Sequence, residues 1–413
     1  MQKFSVAHIY KINNPCSNMI KEVKATSILD SNKNSTVKVT IKTDNGSFIG
    51  ISPSGTSKGK HEAHTVSTKK AIKNINKIAK KLKSQPLDQK KIDNLLIRLA
   101  GKNKSRLGVN TILPISMAIA RAAAKEENLP LYKYIKKISN SRIKVPIPMV
   151  LLFEGGRHSV NSSDIQESMI IPKAKTLSQS LKNGIKVYNT LKKLLKRLKL
   201  KTNLGMEGAF SPKLQINEDY FSLILEAIKE SKINKKDIKI AIDAAASEFY
   251  HKNSYHLKRD NLKLSSKELS RYYSYLTRKF PIVSIEDPFD QSDWKSWKSF
   301  NKKSKIMTVG DDLTVTNPSL IKKAIKINAC NSFIIKPNQI GTISETIEAV
   351  KLAKSFKLKT IISHRSGETN DDFISDLGAG LGVDYIKAGS LSKKERMAKY
   401  NRLLKIENEL RKT

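Results

Sequence analysis

The sequence predicts an α/β fold, a (β/α) barrel preceded by a smaller α+β domain, and three observations carry that reading. The first is a recurring motif, a short apolar run that ends in an ionisable residue. Ile240-Ala241-Ile242 ends in Asp243, Ile282-Val283-Ser284-Ile285 in Glu286, and Ile306-Met307-Thr308-Val309-Gly310 in Asp311. Phe333-Ile334-Ile335 ends in Lys336, with Pro337 stopping the strand, Thr360-Ile361-Ile362-Ser363 in His364, and Val383-Asp384-Tyr385-Ile386 in Lys387. The second is the helical period of most intervening segments, which puts the ionisable strand ends at one mouth of a barrel. The third is length: 413 residues exceed one compact core, so two domains are expected. One lysine after an apolar strand is ordinarily a snorkelling surface group. Six polar strand ends in one register make that explanation poor.

Composition narrows the classes. At 39% hydrophobic the chain has ample material for a core, and no apolar run approaches the roughly 20 residues of a membrane span, so we expect a soluble, cytoplasmic protein. The net charge of +40 invites a nucleic-acid or anionic partner. Its lysines, however, are spread over every expected helix face, and 6% aromatic residues leave few stacking platforms, so a nucleic-acid role is disfavoured. The excess still suits small anions, including phosphorylated substrates. Cys16 and Cys330 form neither a disulfide framework nor a metal spacing, which fits a reducing compartment.

Residues 1–18 hold no acid and no continuous apolar stretch, and are read as a disordered or untranslated extension before Met19. A small α+β domain then spans 19–145. Thr36 to Thr43 alternates at period two, Asp44-Asn45-Gly46 turns, and Ser47-Phe48-Ile49-Gly50-Ile51 returns as a hairpin partner. Pro53-Ser54-Gly55-Thr56-Ser57-Lys58-Gly59-Lys60 is too polar to pack and reads as a mobile loop. Ala71, Ile72, Ile75, Ile78, Ala79 and Leu82 make one helical stripe. Residues 112–124 make an alanine-rich helix, with Pro114 expected in its first turn. Pro146 and Pro148 mark the boundary to a barrel domain at 146–413. Its early part predicts a strand at 149–153, a second opening at Gln166-Glu167, a basic amphipathic helix at 177–198 and a glycine-flanked loop around Glu207. Ser265 and Glu268 form a capping box, and an amphipathic helix at 395–410 closes the chain.

The chemistry gathers at the strand ends. Three convergent carboxylates, Asp243, Glu286 and Asp311, would repel one another unless a hard divalent cation lay between them, and Mg2+ is the natural choice. Lys336 and Lys387 share that mouth; two ammonium groups beside a cation disfavour each other's proton, so one lysine is expected to be a neutral general base. His364-Arg365-Ser366-Gly367 offers a bidentate guanidinium, a hydroxyl and turn amides, which suits a phosphate.

These motifs identify a resemblance. From Met19 onward the chain resembles the enolase family, through Pro53-Ser54-Gly55-Thr56-Ser57, Gly155-Gly156-Arg157-His158, Gln166-Glu167 and Ala245-Ala246-Ser247-Glu248-Phe249-Tyr250. Further matches are Ser284-Ile285-Glu286-Asp287-Pro288, Gly310-Asp311-Asp312-Leu313-Thr314, Lys336-Pro337-Asn338-Gln339-Ile340-Gly341-Thr342, Ser363-His364-Arg365-Ser366-Gly367-Glu368-Thr369 and Ala398-Lys399-Tyr400-Asn401. The resemblance implies a (β/α)8-type enolase barrel and the reversible dehydration of 2-phosphoglycerate to phosphoenolpyruvate in glycolysis and gluconeogenesis. Lys336 matches the base at C2, and Glu207, with Glu167 beside it, the acid at the C3 hydroxyl. Asp243, Glu286 and Asp311 match the ligands of a first Mg2+ that stabilises an aci-carboxylate. Ser57, on a closing loop, matches a ligand of a second. Arg365 and Ser366 match the phosphate contacts, His158, Gln166 and Lys387 line the substrate pocket, and His364 is counted among the catalytic residues.

The departures are specific. Met206 stands where the family has an aspartate, Ala209 replaces a glycine, and Lys393 replaces an arginine. Ser31-Asn32-Lys33-Asn34-Ser35 and Lys38 change a region that helps form the family's dimer, so a homodimer with weakened contacts is expected. The segment after Glu62-Ala63 is shortened. The alternative reading is an inactive paralogue that binds RNA or an anionic partner through its basic surface. Against it, no expected site residue is missing. A different reaction of the superfamily is disfavoured, because it would leave Arg365, Ser366 and the closing loop without a purpose.

Overall fold

The computed structural model describes residues 19–56, 58–159 and 161–412. The expected extension at 1–18 and the expected metal contact Ser57 lie outside the described residues.

The first part is an antiparallel sheet backed by helices. β1 (Glu22–Leu29), β2 (Ser35–Thr43) and β3 (Gly46–Ile51) pair in that order, and Thr43 faces Gly46 across the two-residue turn. Val37, Val39 and Ile41 are buried at every second position of β2, as the alternation predicts. Of the four helices, α1 (Thr68–Leu82) and α3 (Val109–Glu126) pack on this sheet, α2 (Gln89–Ala100) packs on α3, and α4 (Leu131–Ser139) packs on α3 and on the barrel helix at Phe373–Leu381. Ser67 caps α1 by accepting from the Lys70 amide, a contact worth about 1 kcal/mol. The expectation for Pro114 is corrected: α3 begins at Val109, so Pro114 is interior, not in the first turn. Its carbonyl lies where a Cβ on Gly50 would sit, at 2.0 Å, so β3 packs directly on the helix there.

The second part is a closed eight-stranded barrel. β4 (Ile147–Glu154), β5 (Glu167–Pro172) and β6 (Ile238–Asp243) join β10 to β14, which are Ile282–Glu286, Met307–Gly310, Ser332–Ile335, Lys359–Ser363 and Tyr385–Lys387. A small side sheet intervenes, β7 (Tyr250–His251), β8 (Ser254–Leu257) and β9 (Leu262–Leu264). Around the barrel lie α5 (Leu177–Arg197), α6 (Asn217–Glu230), α7 (Ser266–Lys279), α8 (Trp294–Lys303), α9 (Pro318–Ile327), the single turn α10 (Pro337–Ile340), α11 (Ile343–Ser355), α12 (Phe373–Leu381) and α13 (Lys394–Arg411). Met149, Leu151, Met169, Ala241, Val309, Ile334 and Ile361 fill the interior, and a larger apolar layer joins strands to helices. Each fully buried side chain of this kind contributes roughly 1.5–3 kcal/mol.

One feature departs from plain strand–helix alternation. β5 runs antiparallel to both β4 and β6, because the connection from β4 has no crossover helix and two helices follow β5 instead. Glu167 therefore reaches the mouth from the start of its strand, not from a C-terminal end. The register brings Glu154, Glu167, Asp243 and Glu286 side by side on four neighbouring strands.

Buried polar links hold the two parts together. Asp93, fully buried on α2, accepts from Ser116 at 2.6 Å and from the Ser344 amide at 2.9 Å, at the start of α11. Arg121 forks onto Asp371 at 2.8 and 2.9 Å.

Candidate active site

Lys387 sits among acids. Its Nζ lies 2.9 Å from Asp243 Oδ2, 2.9 Å from Glu286 Oε2 and 3.1 Å from Glu167 Oε2. Lys336, directly after β12, pairs with Asp311, whose other oxygen accepts from Gln339 at 2.8 Å. The three acids expected round one cation are thus divided between two ammonium groups. Burial pushes both lysines down, yet Asp311 holds Lys336 above its ordinary value, and Asp243, Glu167 and Glu286 hold Lys387 well above it. With no cation between the acids, carboxylates outnumber ammonium groups and attraction outweighs the mutual repulsion of the two lysines. The imbalance is visible in Glu286, which burial and then Asp243 push well above the usual carboxylate range despite Lys387. Hard oxygen donors with surplus negative charge fit Mg2+. The ligand atoms of Asp287, Asp311 and Asp312 also lie within 4.8 Å of one another and could hold a metal ion. Both Asp287 oxygens, however, brace the amides of Asp311 (3.0 Å) and Asp312 (2.9 Å).

Glu207 occupies a different environment. Its Oε2 lies 2.9 Å from His364 Nε2 and its Oε1 3.8 Å from His158 Nδ1, which is 3.5 Å from Glu167 Oε1. Arg396, fully buried, donates to His364 Nδ1 at 2.6 Å. A guanidinium cannot accept, so Nδ1 is the acceptor and the proton sits on Nε2, facing Glu207. Burial presses Glu207 upward, whereas charged His364 and His158 would hold it well below the usual range. Burial also lowers both imidazoles, His364 to about 4. With Arg396 on Nδ1 an imidazolium is disfavoured twice over, so burial presses Glu207 upward while the Nε2–H and the nearby Arg396 press it downward.

The third corner is cationic. Arg365 donates to Glu62 at 3.1 Å and to Asn338 at 3.2 Å. The loop expected to be mobile is docked here: Ser54 and Gly367 exchange backbone hydrogen bonds of 2.8 Å, and the Thr56 amide donates to Ser366 Oγ at 2.8 Å. A Cβ on Gly55 would fall 1.9 Å from the Arg365 guanidinium, so only glycine allows this approach. Ser31, from the altered β1–β2 stretch, supports the same turn: its amide donates to the Glu368 carbonyl at 2.7 Å.

All the described candidates except Glu286 line one cavity of about 20 Å3: His158, Gln166, Glu167, Glu207, Asp243, Asp311, Lys336, His364, Arg365, Ser366 and Lys387. That volume suits about one water molecule, so admitting a larger ligand requires the docked loop to lift or the ion pairs to part. Sequence reasoning missed Arg396, whose guanidinium also donates to the carbonyls of Arg365 (2.6 Å) and Ser366 (2.7 Å). No local pattern marks it, since it reads as one more basic residue on an amphipathic helix. It also missed Glu154. There the signal existed: Met149-Val150-Leu151-Leu152-Phe153 ending in Glu154 is one more instance of the apolar run closed by an ionisable residue.

Two family models match this chain. Residues 20–135 match the one described as enolase, N-terminal domain, and residues 142–413 the one described as enolase, C-terminal TIM barrel domain.

Proposed function

The chain belongs to the enolase family, and on that premise we propose that it is a hydro-lyase that interconverts 2-phosphoglycerate and phosphoenolpyruvate. The observation that carries the reading is one buried cavity lined by a lysine, an acid and a guanidinium–hydroxyl corner: Lys336, Glu207 and Arg365 with Ser366. Arg365 and Ser366 bind the phosphate and orient the substrate, with Lys387, Gln166 and His158 along its length. Lys336 removes the proton from C2. Glu207, with Glu167 and neutral His364 beside it, gives a proton to the C3 hydroxyl, which leaves as water. Asp243, Glu286 and Asp311 would hold Mg2+, which when bound would supply positive charge against the substrate carboxylate and compete with Lys336 for Asp311. Closure of the loop at 53–60 keeps bulk water away.

We place this activity in glycolysis and gluconeogenesis in the cytoplasm, in a homodimer with weakened contacts and a second Mg2+ near the closing loop. No helix among the described residues is long and apolar enough to cross a membrane. The test is the absorbance of phosphoenolpyruvate formed from 2-phosphoglycerate with and without Mg2+. Metal-dependent turnover is expected. No turnover at any pH or Mg2+ concentration would hand the chain to the inactive, anion-binding alternative.

A further inference from the structure

Glu154 ends β4 with no exposed surface and lies directly beneath the loop that carries Glu207. Its Oε2 accepts the Glu207 amide at 2.9 Å, and its Oε1 the Ala209 amide at 2.8 Å. The contact is close enough to exclude a side chain: a Cβ on Gly205 would fall 2.5 Å from the carboxylate. The loop's carbonyls are held from the opposite direction. Lys393 donates to the oxygens of Gly205 (3.1 Å) and Met206 (2.9 Å), Ser392 to Gly208 (2.6 Å), and the Ser390 amide to Glu207 (3.1 Å). The loop is thus clamped between a carboxylate below and cationic and hydroxyl donors at the start of α13.

We propose that Glu154 is a positioning residue for Glu207, fixing through the loop amides where that carboxyl points and setting through its own charge how readily it releases its proton. This rests on the reading of Glu207 as the acid of the dehydration. It also accounts for Met206: the carboxyl missing from the loop at that position is replaced by one underneath. Glu154 is faced by Glu207, by Arg396 from the terminal helix and by Tyr188 from α5; Glu207 is faced in turn by His158, Glu167, His364 and Arg396. Arg396 opposes the repulsion between the two acids without removing it, for Glu154 is pushed to about 8, by burial first and by Glu207 next. Each carboxylate makes the other's ionisation harder.

The experiment is the pH dependence of kcat/KM for dehydration, read beside exchange of the C2 proton. The general acid must be protonated, so it sets the alkaline limb. Glu154→Gln keeps the shape and removes the charge; the limb should move to lower pH by on the order of one unit, with C2 exchange near the wild-type rate. A limb that stays in place overturns the proposal. Met206→Asp in the Glu154→Gln background should return the limb upward, an outcome a purely structural role would not produce; no return overturns the charge argument. If Glu154→Gln does not fold, Glu154→Asp takes its place, with a smaller downward step as the charge retreats, and no step again overturns. Glu207→Gln separates the two levels: if it dehydrates at the wild-type rate, the assignment of Glu207 has failed, independently of Glu154.

Discussion

Around Lys387, the acids Glu167, Asp243 and Glu286 are compensated by a cation, while one strand away Glu154 and Glu207 are surrounded by backbone amides and neutral imidazoles. All lie at the same mouth, and four share one row of the barrel register. The difference shows that an acid's role here follows from what compensates it. The Lys387 ammonium offsets part of the charge of three crowded acids, and the surplus suits a metal ion. Glu154 and Glu207 share no ammonium partner, and burial with their mutual repulsion favours a proton held on the pair.

The most severe way to break this division is to remove the base. Lys336→Ala should lower C2 proton exchange on the order of 10⁴-fold, measured by loss of deuterium from labelled 2-phosphoglycerate. Exchange near the wild-type rate would sink the role of Lys336. Glu207→Gln strikes the proton-holding side, and dehydration should fall roughly 10³-fold while exchange persists. Equal loss of both would show that the two sides do not act on separate atoms.

Lys387→Met sharpens the comparison through stability. Three buried carboxylates would lose their ammonium partner, at a cost of about 3–5 kcal/mol in a urea titration. Added Mg2+ should recover part of that loss, because the cluster suits a hard cation. Glu207→Gln as a single variant should lose no stability that Mg2+ recovers, and an equal recovery would erase the distinction between the sides.

The smallest expected effect is on pH. His364 is held near 4 in the folded chain against about 6.5 when unfolded. Its stabilising contribution is complete above 6.5 and is lost as pH falls from 6.5 toward 4, because only the unfolded chain gains the proton there. The total is about 3 kcal/mol. The difference in unfolding free energy between wild type and His364→Gln should therefore shrink across that window. A difference constant with pH would mean that His364 is not held neutral by burial.

Local pattern was enough for much of the molecule. Period-two alternation in β2, the stripe of α1 and the capping box of Ser265 depend on neighbours within a few residues. The strand-end series named Asp243, Glu286, Asp311, Lys336, His364 and Lys387 because a buried strand that ends at a ligand-facing mouth changes character in one step. The same rule reaches Glu154, although its role depends on a loop more than fifty residues away, which the rule does not see.

What tertiary structure alone decided is how these charges are shared. Sequence spacing put two lysines and three acids at one mouth; only the fold pairs Lys387 with Asp243, Glu286 and Glu167 and Lys336 with Asp311, because pairwise energies in a buried site depend on distances that chain order does not encode. The antiparallel course of β5, which brings Glu167 to the mouth from its strand's first residue, likewise depends on a connection whose path no local preference dictates. Arg396 is the extreme case. Its residue type is ordinary for an exposed helix face, and only the packing of α13 under the barrel mouth turns it inward, where burial obliges it to find acceptors in His364, Arg365 and Ser366.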